Sequence, residues 1–251
     1  EKERKHCEET IERAVETEGL EFLGWRMVDV DNSHIGSTAK DVEPVIKQFF
    51  VGGVGQAADQ LSLERKLYVV RKVAESELAK GKTQALEKFY ICSLSTKTIV
   101  YKGLVTGTQL DRYYLDLKNP LIKTGFAMVH SRFSTNTLGS WKLAHPYRYV
   151  SHNGEINTLR GNLSRMKARE ELFESEFFGE DLKKIIPITM EGKSDSASMD
   201  MALELLLHTG RSLPEAMMMM VPEAWEKNPV MSDEKKAFYE YNACIMEPWD
   251  G

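Results

Sequence analysis

The stretch from Gly125 to Asn162 places two short apolar runs directly before two polar clusters. The runs, Phe126–Val129 and Tyr147–Val150, have the length and the β-branched or aromatic content of buried strands. The clusters that follow them occupy residues 130–137 and 151–157. Polar clusters at the ends of neighbouring strands meet at one edge of a sheet, where binding and catalytic sites are commonly built. The stretch therefore predicts a functional site at a sheet edge.

Other segments supply further strands and helices. Extended segments are predicted at Glu21–Val30, at Glu43–Val51 and in a hairpin that joins Phe89–Leu94 to Thr98–Tyr101. Helical spacing of apolar residues, with capping residues at the ends, predicts helices over residues 1–18, 61–80, 159–177, 196–209, 213–220 and 233–247. Strands and helices interleave without a regular βαβ rhythm, which indicates an α+β layered fold.

Composition excludes several classes of function. A hydrophobic content of 42% in 251 residues is enough for a sizeable core. The formal net charge of -5 gives no reason to expect nucleic acid or an anionic membrane as a partner. No apolar run approaches the ~20 residues that a membrane span needs.

The three cysteines, Cys7, Cys92 and Cys244, are widely spaced. That spacing argues for reduced thiols and against a disulfide framework or a zinc site. Six histidines without ligand spacing predict no metal site. We expect a reducing compartment, namely the cytoplasm, with a plastid as the alternative if the source is a photosynthetic eukaryote. The chain starts at Glu1 without an initiator methionine and ends abruptly, so we interpret it as a fragment of a longer protein.

Motifs in five segments of the chain, with HSRFSTNT and HNGEIN together in one of them, resemble a known family in the same order. The pair HSRFSTNT and HNGEIN looks like the glutaminase domain of the class II, N-terminal-nucleophile glutamine amidotransferases. The extension LRGN looks specifically like the large subunit of the glutamate synthases. The resemblance continues through Phe89–Gly103, Ser194–Leu206, Gly210–Trp225 and Phe238–Gly251, and it is weakest before about Glu21. The match beyond Gly210 argues against the amidotransferases of sugar or purine synthesis.

The resemblance implies a fold and an activity. The family's fold is a four-layer αββα sandwich of the N-terminal-nucleophile hydrolase type, and residues 1–251 would form part of one such domain. The implied reaction is hydrolysis of L-glutamine to glutamate through a glutamyl thioester. The ammonia would then aminate 2-oxoglutarate at a second site, which is the route of ammonia assimilation and glutamate biosynthesis.

The second site implies cofactors and partners outside this stretch. FMN and an iron–sulfur cluster are implied for the full-length oxidoreductase, and no motif for either lies in these residues. The implied partners are the remaining synthase domains of the same chain and a reductase subunit or ferredoxin. The residues leave open whether NADPH, NADH or ferredoxin donates the electrons, and they do not give the oligomeric state.

Arg132 follows the first apolar run and has two interpretations. It could pair with any neighbouring carboxylate of the protein. A guanidinium is also well suited to gripping a substrate carboxylate with two parallel hydrogen bonds. In the family, the matching arginine holds the α-carboxylate of glutamine. Thr135 and Asn136 resemble the polar positions that line the same end of that pocket.

Asn153 and Gly154 follow the second run. An Asn-Gly pair is commonly a turn. It can also supply a side-chain amide and a closely approachable backbone N–H to a developing oxyanion. The family uses this pair as its oxyanion hole. His130 and His152, beside these candidates, are expected to be structural or supporting residues.

Asp195 could be a helix N-cap, which is physically reasonable. Ser194 or Ser196 could satisfy that role instead, so we favour a ligand role for Asp195. The family's matching aspartate binds the α-amino group of the substrate. An arginine and an aspartate on opposite sides of one pocket would together recognise the zwitterion of a free amino acid.

The nucleophile is where the chain departs from the family. Class II glutaminases attack with the thiol of an N-terminal cysteine, whereas this chain begins with Glu1. Cys7 lies in a charged, helix-like run rather than in the glycine-containing strand that the family's cysteine opens. We therefore expect the nucleophile to lie outside this fragment, which alone would be inactive. The alternative is a glutaminase-like domain that lacks a nucleophile and serves as a binding or assembly module.

Overall fold

The computed structural model describes residues 1–53, 59–81, 83–131, 139–190 and 192–249. The chain folds into two units, Glu1–Ser151 and His152–Gly251. Helix and sheet are both present, in agreement with the predicted α+β class. Among the helices of these described ranges, none combines the length and the apolar content that crossing a lipid bilayer requires.

The first unit contains five helices and two strands within its described residues. The strands are β1 (Glu21–Met27) and β2 (Lys47–Gly52). The helices are α1 (Lys2–Thr17), α2 (Ser37–Lys40), α3 (Gln60–Ala79), α4 (Gln84–Lys88) and α5 (Leu110–Tyr113). Short 3₁₀ turns occur at Asn32–His34, Leu115–Lys118 and Trp141–Leu143.

β1 and β2 form an antiparallel pair that is interrupted by a bulge. Phe22 pairs with Val51 and Gly24 pairs with Phe50, so Leu23 has no opposite residue. Gly24 has a φ of 136°, a conformation that favours glycine. The glycine therefore allows the bulge, which is a common device for ending or bending a strand pair.

Helix α1 packs on α3 and covers one face of the core of this unit. The thin apolar stripe of α1, namely Ile11, Ala14 and Val15, is buried as its spacing predicts. It meets Leu67, Val70 and Ala74 of α3.

The second unit is helical in its described residues. Its helices are α6 (Leu159–Glu170), α7 (Leu182–Ile185), α8 (Asp195–His208), α9 (Leu213–Met220) and α10 (Asp233–Ile245). Helix α9 contacts both α8 and α10. Twelve of the fourteen residues of α8 are buried, which makes it the central helix of this unit.

Several predicted helix ends are confirmed. Gly210 follows α8 with a φ of 90°, the left-handed conformation of a helix terminator. Ser212 caps α9 by accepting a hydrogen bond from the Glu215 N–H, and Pro214 lies in the first turn. Ser232 caps α10 in the same way through the Lys235 N–H. These ends are predictable because each depends on residues close together in the sequence.

Four predicted strands are wrong. No strand is assigned to Phe126–Val129, Tyr147–Val150 or the two arms of the proposed hairpin over 89–94 and 98–101. Phe126 and Val129 are 80% and 79% exposed rather than buried. Tyr147 and Val150 are buried, but the Tyr147 N–H donates to the carbonyl oxygen of Val150 within one tight turn. An apolar run cannot form a strand by itself, because its backbone groups need a partner strand.

Candidate active site

The loop at the start of the second unit carries two of the predicted site residues, Asn153 and Gly154. Both residues are exposed. Neither residue has the positive φ that a type I′ Asn-Gly turn needs at both central positions. The pair is therefore not the common hairpin turn that its sequence allows.

Gly154 is not required by local packing. A Cβ at this position would meet only the Nδ1 atom of His152, at 3.7 Å, which is ordinary van der Waals contact. Its backbone conformation does not require glycine either. Because glycine has no side chain, the space above the Gly154 backbone is open. A ligand that approaches the backbone closely needs such a space.

Asp195 is the first residue of α8, and it is not the N-cap. Ser194 holds that position and accepts a hydrogen bond from the Ala197 N–H at 3.2 Å. The Asp195 side chain is nevertheless buried, with 8% of the residue exposed. The capping interpretation of this aspartate is therefore wrong, and its burial needs another explanation.

Donors from two parts of the second unit surround the Asp195 carboxylate. Its Oδ1 accepts from the backbone N–H of Ser196 at 2.6 Å and from the Ser196 hydroxyl at 3.1 Å. Its Oδ2 accepts from the backbone N–H of Ile156 at 3.4 Å. The positive end of the α8 dipole also favours a carboxylate at this position. The loop that carries Asn153 and the residue expected to bind an amino group are thus neighbours.

A second contact joins the same two segments. The Nε2 atom of His152 lies 2.6 Å from the Oγ atom of Ser196, which is 1% exposed. The sequence predicts a supporting role for His152 and offers Ser196 only as a capping candidate. No sequence signal predicts the contact, because the two residues are 44 positions apart.

Three predicted substrate-binding residues, Arg132, Thr135 and Asn136, lie outside the described residues. Their roles stay predictions. His130, which is described, packs its ring edge-on against the ring of His145 in the first unit, with the centroids 4.5 Å apart. In the part of the chain that the structure describes, no group of three or more His, Cys, Asp or Glu side chains could hold a metal ion.

The surroundings of Cys7 and Cys92 disfavour the thiolate, which is the nucleophilic form. Cys7 lies inside α1, where burial and the carboxylates of Glu3 and Glu8 raise the pKa of its thiol. Burial likewise raises the pKa of the Cys92 thiol. Cys244 is exposed on α10 and donates a hydrogen bond to the Glu240 carbonyl oxygen.

Comparison with known proteins gives one family and a consistent set of relatives. A family model described as class II glutamine amidotransferases matches residues 1–251. The chain is 51% identical over 251 residues to the glutamate synthase (NADPH) large chain of Bacillus subtilis, covering 100% of this chain and 16% of that protein. It is 50% identical over 239 residues to the glutamate synthase (NADH) of Schizosaccharomyces pombe, covering 93% and 11%.

The name of a third relative gives a different electron donor. The chain is 46% identical over 245 residues to ferredoxin-dependent glutamate synthase 2 of Synechocystis, covering 96% of this chain and 15% of that protein. The chain thus spans between 11% and 16% of the length of these three relatives.

Proposed function

The chain belongs to the class II glutamine amidotransferase family, and from this premise we propose that it forms part of the glutamine-hydrolysing domain of a glutamate synthase large chain. The geometric observation that carries the proposal is the contact between the Asn153 loop and Asp195. An exposed amide, an open glycine backbone and a buried carboxylate are the groups that an amino-acid amide would need on one side of its pocket. Relatives named glutamate synthase, with three different donor names, support the same function.

In the proposed reaction, each residue has a defined role. Arg132 grips the α-carboxylate of L-glutamine, with Thr135 and Asn136 lining the same end of the pocket. Asp195 accepts hydrogen bonds from the α-ammonium group. Attack on the side-chain amide places negative charge on the carbonyl oxygen, and the Asn153 amide and the Gly154 N–H stabilise that charge.

We assign the nucleophile to an N-terminal cysteine of the whole protein rather than to Cys7, Cys92 or Cys244. The thiol would attack the amide carbon, and collapse of the tetrahedral intermediate would release ammonia and leave a glutamyl thioester. Water would then hydrolyse the thioester to glutamate. The ammonia would pass to the second site to aminate 2-oxoglutarate.

FMN and the iron–sulfur cluster of the proposed whole enzyme would serve its second site, where 2-oxoglutarate is aminated and reduced. No step of the mechanism on this chain is therefore routed through either group. The remaining domains of the same large chain, together with a reductase subunit or ferredoxin, would supply the redox chemistry.

The proposal extends to the complete domain and its compartment. We propose that the complete domain adopts the four-layer αββα sandwich of the N-terminal-nucleophile hydrolases. Three separate thiols suit a reducing compartment, the cytoplasm or a plastid. The chloroplastic names of some relatives support the plastid alternative.

Replacement of Asn153 by alanine in the full-length enzyme tests the proposed function. Loss of an oxyanion donor should slow glutamine-dependent turnover by ~10²–10³. Synthesis from ammonium should be largely spared, because it bypasses glutamine hydrolysis. Both rates and a thermal melt are measured in parallel for the wild type and the variant.

Two results would contradict the proposal. Equal loss of both activities with a lowered melting temperature would mean that Asn153 only shapes its loop. A wild-type enzyme that never releases glutamate from glutamine would instead support a binding or assembly module without a nucleophile.

A further inference from the structure

The hydroxyl group of Ser196 lies between two side chains of the candidate site. It is 3.1 Å from Oδ1 of Asp195 and 2.6 Å from Nε2 of His152. A carboxylate oxygen accepts hydrogen bonds, so the single hydroxyl hydrogen of Ser196 points to Asp195. With that hydrogen directed to Asp195, the Ser196 oxygen accepts from His152 in the tautomer that carries a hydrogen on Nε2. The three groups form a directed chain from His152 through Ser196 to Asp195.

The same carboxylate is tied to the loop a second time. Oδ2 of Asp195 accepts from the backbone N–H of Ile156 at 3.4 Å, which is a long hydrogen bond. His152 precedes Asn153 and Gly154 in the chain, and Ile156 follows them. The start of α8 therefore holds the loop on both sides of the two proposed oxyanion donors.

We propose that Ser196 and His152 are positioning residues for glutamine hydrolysis. They would hold the Asn153 loop against Asp195, whose carboxylate binds the amino group of the substrate. The proposal rests on the function proposed above and extends it to residues that do not touch the substrate. Oxyanion donors are effective only when they are preorganised at the position of the developing charge. Because the Ile156 contact is long, the His152–Ser196 contact supplies the more rigid of the two ties.

Asp195 keeps the capacity for its substrate role under this arrangement. An ionised carboxylate offers about four acceptor positions. The Ser196 N–H, the Ser196 hydroxyl and the Ile156 N–H occupy three of them. One position is left for an ammonium group, so the same carboxylate can fix the loop and bind glutamine. Through Asp195, binding of the substrate amino group is then coupled to the position of the oxyanion donors Asn153 and Gly154.

The test uses Ser196→Ala in the full-length enzyme, with Ser198→Ala as the matched control. Ser198 is also fully buried in α8, but its hydroxyl donates to the Ser194 carbonyl oxygen at 2.8 Å, within its own helix. We expect Ser196→Ala to lower kcat for glutamine about tenfold, the size of one lost hydrogen bond, and to change KM less than about threefold. Ammonium-dependent synthesis should match that of Ser198→Ala.

A pair of His152 variants tests the other end of the chain and remains informative if Ser196→Ala does not fold. His152→Phe removes the Nε2 donor, and His152→Gln keeps an N–H donor on a flexible side chain. We expect the phenylalanine variant to lose about tenfold in kcat for glutamine and the glutamine variant to retain most of it. The double variant Ser196→Ala with His152→Phe should be no slower than the slower single variant, because both remove the same tie.

The outcomes separate this inference from the proposed function. If Asn153→Ala loses glutamine turnover selectively but Ser196→Ala behaves as Ser198→Ala does, the positioning role is wrong and the glutaminase assignment stands. Equal activities of His152→Phe and His152→Gln would also overturn it. If the wild type does not hydrolyse glutamine, the proposed function fails, and the positioning role fails with it.

Discussion

Two helices of the second unit begin with a serine followed by an aspartate. Ser194 caps α8 through the Ala197 N–H, and Ser232 caps α10 through the Lys235 N–H. In both helices the aspartate is the first helical residue, where the helix dipole favours negative charge. The local physics of the two helix starts is the same.

Their surroundings differ. Ser194 and Asp195 are 2% and 8% exposed, whereas Ser232 and Asp233 are open to solvent. Asp195 lies among donors from its own helix and from the 152–156 loop. Taking a carboxylate out of water is costly unless hydrogen bonds replace the lost hydration. A buried acid that is not needed as a cap is therefore a better candidate for function than an exposed acid at the equivalent position.

The largest expected difference between the two helix starts concerns glutamine. In the full-length enzyme, Asp195→Ala should lower kcat/KM for glutamine by about 30-fold to 5000-fold, since losing one partner of a desolvated charge pair costs about 2–5 kcal/mol. Asp233→Ala should change it by less than about twofold. Steady-state kinetics with glutamine and with ammonium decide the matter. Equal effects of the two substitutions would remove Asp195 from the substrate site.

A smaller difference is expected in the stability of the two helix ends. Loss of an N-cap costs about 0.5–2 kcal/mol, and the buried cap should be at the upper end because its freed N–H cannot reach water. Ser194→Ala should therefore lower hydrogen-exchange protection at the start of α8 by about 5- to 30-fold. Ser232→Ala should lower it at the start of α10 by about two- to fivefold. Exchange of peptides covering both starts in one full-length sample measures both. A greater loss at α10 would contradict the burial argument.

The smallest expected effect on hydrogen-exchange protection comes from removing the charge of Asp233. Asp233→Asn removes an exposed carboxylate from the positive end of a helix, which is worth about 0.3–1 kcal/mol at low salt. Protection at the start of α10 should fall by about 1.7- to fivefold at low ionic strength. The difference should disappear near 1 M salt, where the screening length is about 3 Å. A loss that persists at high salt would show that a specific contact, and not the dipole, is involved.

The candidate site was predictable to different degrees. Motifs in the sequence predict Asn153, Gly154 and Asp195 as site residues, and the structure brings the Asn153 loop and Asp195 into one neighbourhood. The cap at Ser194 excludes the capping interpretation of Asp195, whose ligand role stays a prediction. The roles of Arg132, Thr135 and Asn136 remain predictions. The tie between His152 and Ser196 could not be predicted, because hydrogen bonds across 44 residues have no signature in a local pattern.

What the sequence determined by itself was the presence of the six longer helices of the described residues, together with several of their ends. Ser212, Ser232 and Gly210 mark ends that depend on contacts within about four residues, so local chemistry is sufficient. The tertiary structure alone decided whether the apolar runs at 126–129 and 147–150 found partner strands, and which serine–aspartate pair became buried. Strand pairing and carboxylate burial both depend on donors far away in the chain, such as Ile156 for Asp195. Because folding brings those donors into place, two identical dipeptides have different surroundings in one protein.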